Sequence, residues 1–438
     1  MGLQKTRTRE QYQRALKVMP YGVNSNFRYW GLDDTLVMTR GQGAYLWDSD
    51  GRKYIDYRMG FGPVFLGHGF PEVAERVSRA VTEDGNIFAF TTEKEIELAE
   101  RIVAATGVDM ARLANSGTEA TMHSLRIARA HTGREKFIKF EGQYHGMSDY
   151  FLYSTASAGK GTLGSRRNPI NVVQSSGIPK GIAEYVINLP YNDLEILEST
   201  VEAKWGDLAA IIVEPTMGNS GGIMPAPGWL EKIRELCTAH GIVMIMDEVK
   251  TGFRLALGGA QQLFSVRGDL VTYAKALGNG FPIAVIAGKR AFMETLEPGS
   301  VAHGGTYTGN FVGVAAALAT LDVMQKQPVH KTVNERGQML MSGLGEILTD
   351  AGVPHSVVGV PSMFGLYLGE GAAPVDFRSF LEADHALYDR IIVQLAERGV
   401  LPEMDDREPW FISYSHTEAD IAETLTKFEE AVKVAKTS

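Results

Sequence analysis

Short apolar runs alternate with amphipathic stretches between about residue 95 and residue 310, and this alternation predicts the fold. The apolar runs have the length and the branched or aromatic content of buried strands; they span residues 136–140, 209–214, 242–247, 270–273 and 284–288. Apolar positions at helical spacing predict helices at residues 118–130, 229–240 and 313–325. Strands that alternate with helices predict an α/β fold with a mainly parallel sheet between helices.

The two flanks of this region follow other patterns. The first 72 residues hold an amphipathic segment and strand patterns at 43–48 and 54–57. After residue 325 come a helix, strands at 356–360 and 363–368, a helix, a short strand and a last helix. We therefore predict three parts: an N-terminal segment (1–72), a large α/β domain (73–325) and a smaller α+β domain (326–438). The N-terminal segment is expected to pack with the small domain.

Two of the predicted strands end in charged residues. The run at 242–247 ends in Asp247, and the run at 270–273 is followed by Lys275 in a glycine-rich turn. Neighbouring parallel strands end at one edge of a sheet, so the carboxylate and the amine would converge there. Pyridoxal phosphate uses both groups, a lysine for its Schiff base and an acid for its pyridinium nitrogen. The alternatives are a solvated loop charge at Lys275 and an Asp247 salt bridge to Arg254 or Lys250.

A phosphate site is predicted where the helix at 118–130 begins. Two hydroxyls, those of Ser116 and Thr118, are available there, and Gly117 allows an anion to come close to the backbone. With the free N–H groups of the helix N-terminus, these features suit a dianion. Ser116 followed three residues later by Glu119 also fits an ordinary capping box. The segment alone leaves both interpretations open.

Aromatic stacking is predicted in the loop after the strand at 136–140. Tyr144 could stack on a flat ring, with His145 supporting it and Val249 pressing on the opposite ring face. Taken alone, a Tyr-His pair between glycines is more often a simple turn.

Composition narrows the class of protein. The chain has 438 residues, of which 44% are apolar and 22% charged, as in a soluble globular protein. Its net charge of −9 argues against nucleic acid as the main partner. The single cysteine, Cys237, leaves no intrachain disulfide or multi-cysteine metal site, and we expect no metal. Residues 1–7 lack a signal-peptide core and no apolar run could span a membrane, so a cytoplasmic protein without a membrane partner is expected.

With these residues in place, the chain resembles class III aminotransferases of pyridoxal-phosphate fold type I, in the branch of the glutamate-1-semialdehyde aminomutases. The resemblance runs over nearly the whole length. It rests on Gly22–Ser25, Leu66–His68, Asn115–Ala120, Tyr144–Gly146, Val213–Pro215, Asp247–Val249, Lys275 and Gly305–Asn310.

The resemblance implies a seven-stranded, mainly parallel sheet and assigns roles to the matching residues. Lys275 would carry pyridoxal 5′-phosphate, Asp247 would face the pyridine nitrogen, and the 116–118 turn would hold the phosphate. Glu214 and Asn219 would line the site. Thr306 would reach the cofactor of a neighbouring subunit, which implies a homodimer with shared active sites.

The resemblance also suggests substrate-binding residues. Arg28 matches an arginine that holds a substrate carboxylate, Glu408 matches a mutase glutamate, and Arg407 falls where related β-phenylalanine aminotransferases keep a mobile arginine. Phe61 stands where mutases usually have tryptophan, and residues 157–181 differ from the mutase gating loop. Since a mutase must retain a diamine until both half-reactions finish, these departures favour a ping-pong aminotransferase. Its substrates would be a small amino donor, such as an amino acid or β-amino acid, and a carbonyl acceptor; the alternative is glutamate-1-semialdehyde 2,1-aminomutase.

Other activities of the same fold stay open. A decarboxylase or racemase would use Lys275 and Asp247 as well, and would differ only in how the substrate lies over the ring. A member that binds the cofactor without catalysis would lack some reactive groups, all of which are present here. The turn Gly278–Gly280 lacks the spacing of a nucleotide-binding loop.

Overall fold

A seven-stranded sheet lies at the centre of the computed structural model, which describes residues 6–155 and 158–437. The expectation about a signal peptide at residues 1–7 therefore falls largely outside the described residues, and so does the start of the segment 157–181. Within the described ranges, no helix is long and apolar enough to cross a membrane.

The elements of the first half, in chain order, are α1 (Thr6–Leu16), β1 (Met38–Gln42), β2 (Tyr45–Asp48), β3 (Lys53–Asp56), α2 (Pro71–Arg79), α3 (Glu93–Thr106), β4 (Met110–Ala114), α4 (Gly117–Thr132), β5 (Lys136–Phe140), β6 (Gly164–Ser165), β7 (Asn168–Pro169), β8 (Val186–Leu189), α5 (Leu194–Lys204) and β9 (Leu208–Val213). The second half contains α6 (Trp229–His240), β10 (Val243–Asp247), α7 (Gly259–Phe264), β11 (Leu270–Tyr273), β12 (Ala284–Gly288), α8 (Arg290–Met293), α9 (Phe311–Lys326), α10 (Val329–Asp350), β13 (His355–Val360), β14 (Met363–Leu368), α11 (Phe377–Phe380), α12 (His385–Glu397), β15 (Val400–Leu401), β16 (Trp410–Phe411) and α13 (Glu418–Ala435).

The central sheet has the order β4-β12-β11-β10-β9-β5-β8. Its neighbours pair in parallel except at β12, which is antiparallel to both β11 and β4. The prediction of an α/β fold with a mainly parallel seven-stranded sheet is confirmed.

Helices cover both faces of this sheet, which explains why β9, β10 and β12 are almost entirely apolar. In β10, Val243 and Ile245 belong to the buried cluster that contains α4 residues, whereas Met244 and Met246 belong to the cluster that contains α6 residues. Successive side chains of a strand point to opposite faces, so a strand buried on both sides needs an unbroken apolar run. The sheet is therefore held by two hydrophobic layers.

The flanking segments form two further sheets. Strands β13 and β14 form an antiparallel hairpin extended by β16, and β15 pairs in parallel with β3, next to β2 and β1. The predicted strands at 356–360 and 363–368 lie within this hairpin. Because β15 and β3 share a sheet, the N-terminal segment is joined to the C-terminal part. We propose on this ground the three-part division at residues 72 and 325.

Candidate active site

Loops at the carboxyl ends of the central strands surround a cavity of about 300 Å³. In parallel α/β sheets this edge is where ligands bind, because strand ends and helix N-termini meet there. Most of the predicted cofactor residues line this cavity: Ser116, Gly117, Thr118, Tyr144, His145, Glu214, Asn219, Asp247, Val249 and Lys275. Residues from five different loops, far apart in sequence, thus meet at one site.

Asp247 is the last residue of β10 and is buried. Its Oδ2 lies 2.7 Å from His145 Nδ1, and its Oδ1 accepts a hydrogen bond of 2.9 Å from the Thr272 hydroxyl. The alternative salt bridges do not form: Arg254 donates to backbone carbonyl groups, and Lys250 pairs with Glu408. A buried carboxylate that forms no salt bridge with a lysine or an arginine is suited to a cationic ligand group.

His145 contacts Asp247 through its Nδ1 and is itself buried. Burial lowers the pKa of the imidazole, while the Asp247 carboxylate opposes that shift. Among the residues that the structure describes, Nε2 of His145 has no hydrogen-bond partner. The imidazole therefore uses only one of its two ring nitrogens in hydrogen bonding to the described residues.

Lys275 follows β11 in a short 3₁₀ turn, Lys275–Gly278. Its φ of 43° is left-handed, a conformation that non-glycine residues adopt rarely and often at functional sites. Removal from water and the nearby Lys250 ammonium together lower the pKa of its amine to about 7, against the opposing effect of the surrounding carboxylates. A large fraction of this lysine is therefore a neutral, nucleophilic amine near pH 7.

The turn before α4 caps the helix and lines the cavity. Ser116 Oγ accepts a hydrogen bond of 3.2 Å from the Glu119 backbone N–H, and Glu119 Oε2 accepts one of 2.7 Å from the Asn115 N–H. The cap thus exists, and the helix N-terminus also opens into the cavity. At Gly117 any Cβ would lie 2.9 Å from Val249 Cγ1, so the glycine permits close packing of these two walls.

Glu214 fixes the loop that carries Tyr144. Its Oε1 accepts from the Tyr144 N–H at 2.8 Å and its Oε2 accepts from the Gly218 N–H at 2.9 Å. Burial and the Asp247 charge together raise the pKa of the Glu214 carboxyl to about 7, although Lys250 and the two backbone hydrogen bonds oppose the increase. Gln143, which sequence reasoning missed, bonds the Glu214 backbone in both directions at 2.9 and 3.0 Å. Its position two residues before His145 carries no pattern that predicts this role.

A second, wider cavity of about 950 Å³ opens beside the first and shares Tyr144 and Asn219 with it. We call it the vestibule. Phe27 contacts Phe61 and Tyr144 edge to face, with centroids 6.1 and 5.9 Å apart. Phe61, Arg407 and Glu408 all line this space.

The charged residues of the vestibule are paired locally. Arg407 Nε lies 2.7 Å from Asp405 Oδ1, and Glu408 Oε2 lies 2.6 Å from Lys250 Nζ. Asn219 Nδ2 donates to the other oxygen of Glu408. Lys250, which sequence analysis considered only as a partner of Asp247, is therefore a site residue.

Two predicted residues lie elsewhere in the described chain. Arg28 is exposed on a short 3₁₀ turn, Asn26–Arg28, and does not line either cavity, although the adjacent Phe27 lines the vestibule. Thr306 is exposed on the loop before α9 and also lies outside both cavities. Their predicted roles in binding a substrate and a neighbouring subunit's cofactor stay predictions.

The donor set of the inner cavity suits pyridoxal phosphate. A neutral amine can bond its aldehyde, a buried carboxylate can pair with its ring nitrogen, and a helix N-terminus can receive its phosphate. The buried Asp247 carboxylate and the close Gly117–Val249 approach at the helix N-terminus fit a flat ligand that carries a ring cation and a phosphate. The residues present thus satisfy the requirements of this group.

Comparisons with known proteins agree with this geometry. The family described as "Aminotransferase class-III" matches residues 30–432. The glutamate-1-semialdehyde 2,1-aminomutase of Methanothrix thermoacetophila is 39% identical over 97% of this chain and 96% of its own length. That of Desulfatibacillum aliphaticivorans is 40% identical over 98% of this chain and 99% of its own.

Solved structures show the same similarity. An ω-transaminase from Sphaerobacter thermophilus superposes with a TM-score of 0.91 at 31% identity, covering 98% of both chains. The match extends over both the central sheet and its flanking segments, as the coverage requires. The chain is a fold type I protein and belongs to the class III aminotransferase family.

Proposed function

We propose that this protein is a pyridoxal-phosphate-dependent glutamate-1-semialdehyde 2,1-aminomutase. The observation that carries the proposal is the sequence identity of 39–40% to aminomutases over nearly the whole of both chains, in a protein whose Lys275 and Asp247 converge on one cavity. Sequence analysis favoured an intermolecular aminotransferase and kept the mutase as the alternative. The comparisons support the alternative better.

The cofactor supplies an aldehyde that exchanges amines and a ring that withdraws electrons from the substrate carbon. Asp247 would hold the proton of the ring nitrogen, and its own position is set by His145 and Thr272. Tyr144 and Val249 would cover the two ring faces. Ser116, Gly117 and Thr118 would bind the phosphate through hydroxyls and N–H groups.

Lys275 would perform the proton transfers. Once a substrate amine has displaced it, its neutral Nζ can remove a proton from the substrate carbon and return one elsewhere on the same face. The lowered pKa makes the amine available as a base at neutral pH. Because one residue serves both half-reactions, an isomerisation needs no second base.

The vestibule would receive the rest of the substrate, a small five-carbon amino aldehyde with one carboxylate. We propose that Arg407 in the vestibule wall binds the carboxylate, together with Arg28 from the exposed turn beside Phe27. Glu408 and Asn219 would face the amino-bearing carbons. Phe61 would contact the aliphatic chain. Arginine suits a carboxylate because its planar fork binds both oxygens.

We propose a homodimer in which Thr306 completes the site of the neighbouring subunit. Large apolar side chains are exposed near Thr306 and on the α2–α3 connection: Tyr307 at 68%, Phe88 at 55% and Phe90 at 81%. Monomeric proteins rarely leave such side chains in water as a group, whereas subunit interfaces are rich in aromatic residues.

An intermolecular aminotransferase is the second candidate. A mutase must retain its diamine until both half-reactions finish. Two departures from the mutases, Phe61 in place of tryptophan and the altered segment at 157–181, favour release of that diamine and hence an aminotransferase. The ω-transaminase of Sphaerobacter thermophilus, at 31% identity, supports this candidate.

An assay with and without an acceptor separates the two. Purified protein is given glutamate-1-semialdehyde alone, and formation of 5-amino-4-oxopentanoate is followed. The proposal predicts sustained turnover without any keto acid, and none in Lys275→Ala. Turnover that stops after one cofactor equivalent and resumes only with a keto acid would contradict it and identify an aminotransferase. Glutamate, alanine and β-phenylalanine serve as test donors.

A further inference from the structure

Lys250 is a second buried lysine at the cofactor cavity, and the functions assigned above make no use of it. Its side chain is 6% exposed, and it lines the inner cavity together with Lys275. Placing a cation in the wall of a site that already contains a reactive amine is costly, because two positive charges repel in a poorly solvated space. Such a residue requires a structural or chemical reason.

The contacts of Lys250 hold it at the boundary between the cavity and the vestibule. Its Nζ lies 2.6 Å from Glu408 Oε2 and 2.5 Å from the Gly218 carbonyl oxygen. A side chain at Gly218 would place its Cβ 2.4 Å from Lys250 Cδ and 2.8 Å from Glu214 Oε2. The absence of a side chain there lets Lys250 and Glu214 approach the same backbone segment.

Glu408 is held by two donors at once, since Asn219 Nδ2 bonds its second oxygen. The resulting group, Lys250, Glu408 and Asn219, is defined here as the boundary triad. It connects the loop after β10, the loop after β9 and the loop before β16, and its charges are fixed in place by hydrogen bonds. A fixed ion pair exerts a directed field on a nearby amine.

We propose that Lys250 is a positioning residue whose charge, balanced by Glu408, sets the proton affinity of the cofactor-bearing amine of Lys275. The inference rests on the proposed role of Lys275 but not on the identity of the substrate. The charged and titratable groups that line the inner cavity with Lys275 are Lys250, Glu214, Asp247, Tyr144 and His145, and Glu408 contacts Lys250 at the boundary with the vestibule.

The direction of each effect follows from the charges. The Lys250 ammonium lowers the pKa of the Lys275 amine, and the Glu408 carboxylate raises it. Removing the cation alone should therefore make Lys275 hold its proton to higher pH. Removing the carboxylate alone should do the opposite, and removing both should nearly restore the original value.

The test is a pH titration of cofactor absorbance in the holoenzyme. The absorbance reports whether the nitrogen that joins Lys275 to the cofactor is protonated. Lys250→Met, similar in length, should raise the midpoint by roughly one pH unit. Glu408→Gln should lower it, and the double variant should return near wild type. Lys250→Arg retains the charge and should leave the midpoint nearly unchanged. The same is expected of Lys136→Met, which alters a partly exposed lysine that pairs with Asp207 and does not line the inner cavity.

Midpoints that stay in place, or that move in the same direction in Lys250→Met and Glu408→Gln, would overturn the inference. If Lys250→Met does not fold by circular dichroism, Glu408→Gln alone decides, because a rise or no change would contradict the proposed sign. Labelling of Lys275 by a trace amine-reactive reagent in protein freed of cofactor, followed by mass spectrometry against pH, should give the same order. Neither measurement involves turnover. Their outcome can therefore be interpreted even if the aminomutase assay fails.

Discussion

The Asp247 carboxylate is positioned by a histidine, a threonine hydroxyl and a backbone N–H, and no strong cation neutralises it within the described residues. At the residue scale this geometry explains how the ring nitrogen of the cofactor could stay protonated. The alternative partners considered from sequence, Arg254 and Lys250, have other acceptors. The negative charge is thus kept for the ligand.

Asp247→Asn preserves the shape of the side chain but removes this charge. We expect kcat to fall by on the order of 10²–10³, because a fixed charge that stabilises the reacting state is lost. Cofactor binding should persist, since the phosphate contacts and Lys275 are unchanged. Steady-state assays and cofactor absorbance check this, and near wild-type kcat would contradict the assignment. His145→Gln is the matched control, with a smaller loss expected.

Glu214 gives a pH-dependent prediction about stability. Burial raises the pKa of its carboxyl in the folded protein to about 7, above the ordinary value of 4.5. The folded state therefore binds its proton more tightly, and this group's contribution to the free energy of unfolding is present below about pH 4.5 and is lost as the pH rises toward 7.

The variant Glu214→Gln lacks that titration. The wild type loses stability between pH 5 and pH 8 as Glu214 ionises, whereas the variant does not. The free energy of unfolding of the variant minus that of the wild type should therefore increase by on the order of 2–3 kcal/mol over this range. Urea unfolding of both proteins at the two pH values measures the difference, and the pH-independent cost of the changed hydrogen bonds cancels. A relative loss of stability over that range would show that the carboxyl is ionised in the folded protein.

At the scale of elements, the start of α4 is capped by a residue that also lines the cavity. Ser116 Oγ caps the helix through the Glu119 N–H, and the same turn faces the cavity. Ser116→Ala should cost about 1 kcal/mol of stability through the lost cap, and should also weaken cofactor affinity. Ser116→Thr, which keeps the hydroxyl, is the control. Thermal unfolding and cofactor titration separate the effects, and unchanged cofactor affinity would remove Ser116 from the phosphate site.

Elements with a strong apolar pattern were predictable. The strands at 136–140, 270–273 and 284–288 match β5, β11 and β12, and the helix at 229–240 matches α6. The predicted run at 209–214 was shifted by one residue, since β9 ends at Val213 and Glu214 lies beyond it. The short edge strand β8 and the exposed β1 were not predicted, because four or five residues with mixed polarity carry little signal. The reversed direction of β12 is likewise set by tertiary pairing rather than by its own residues.

Site residues at strand ends were predictable for the same reason. Asp247 and Lys275 follow neighbouring apolar runs, and parallel pairing brings them to one edge. The ion pair of Lys250 with Glu408 joins residues 158 positions apart and lies in two loops. Loop residues that meet only through the fold leave no periodic pattern, which is why that pair was missed.

At the scale of the whole molecule, the proposed shared site can be tested by complementation. Lys275→Ala lacks the amine, and Thr306→Asp would place a negative charge beside the phosphate of a neighbouring subunit. Each variant alone should be inactive. In a mixed dimer, one site would combine wild-type Lys275 with wild-type Thr306 from the other chain, so coexpressed variants with different affinity tags should recover activity.

Absence of any recovery in purified mixed dimers would show that Thr306 does not act across the interface. A fully active protein with the molar mass of a monomer by light scattering would contradict the shared-site proposal as well. Sequence could suggest this arrangement only through the family resemblance, because a single chain contains no pattern that specifies its own symmetry partner.

The account depends most on Lys275 as the residue that binds the cofactor covalently. The direct measurement is borohydride reduction of the protein loaded with pyridoxal phosphate, followed by peptide mapping. We predict one stable cofactor adduct per chain, located on Lys275 and absent from Lys275→Ala. An adduct on another lysine, or none in protein that has taken up the cofactor, would contradict the account.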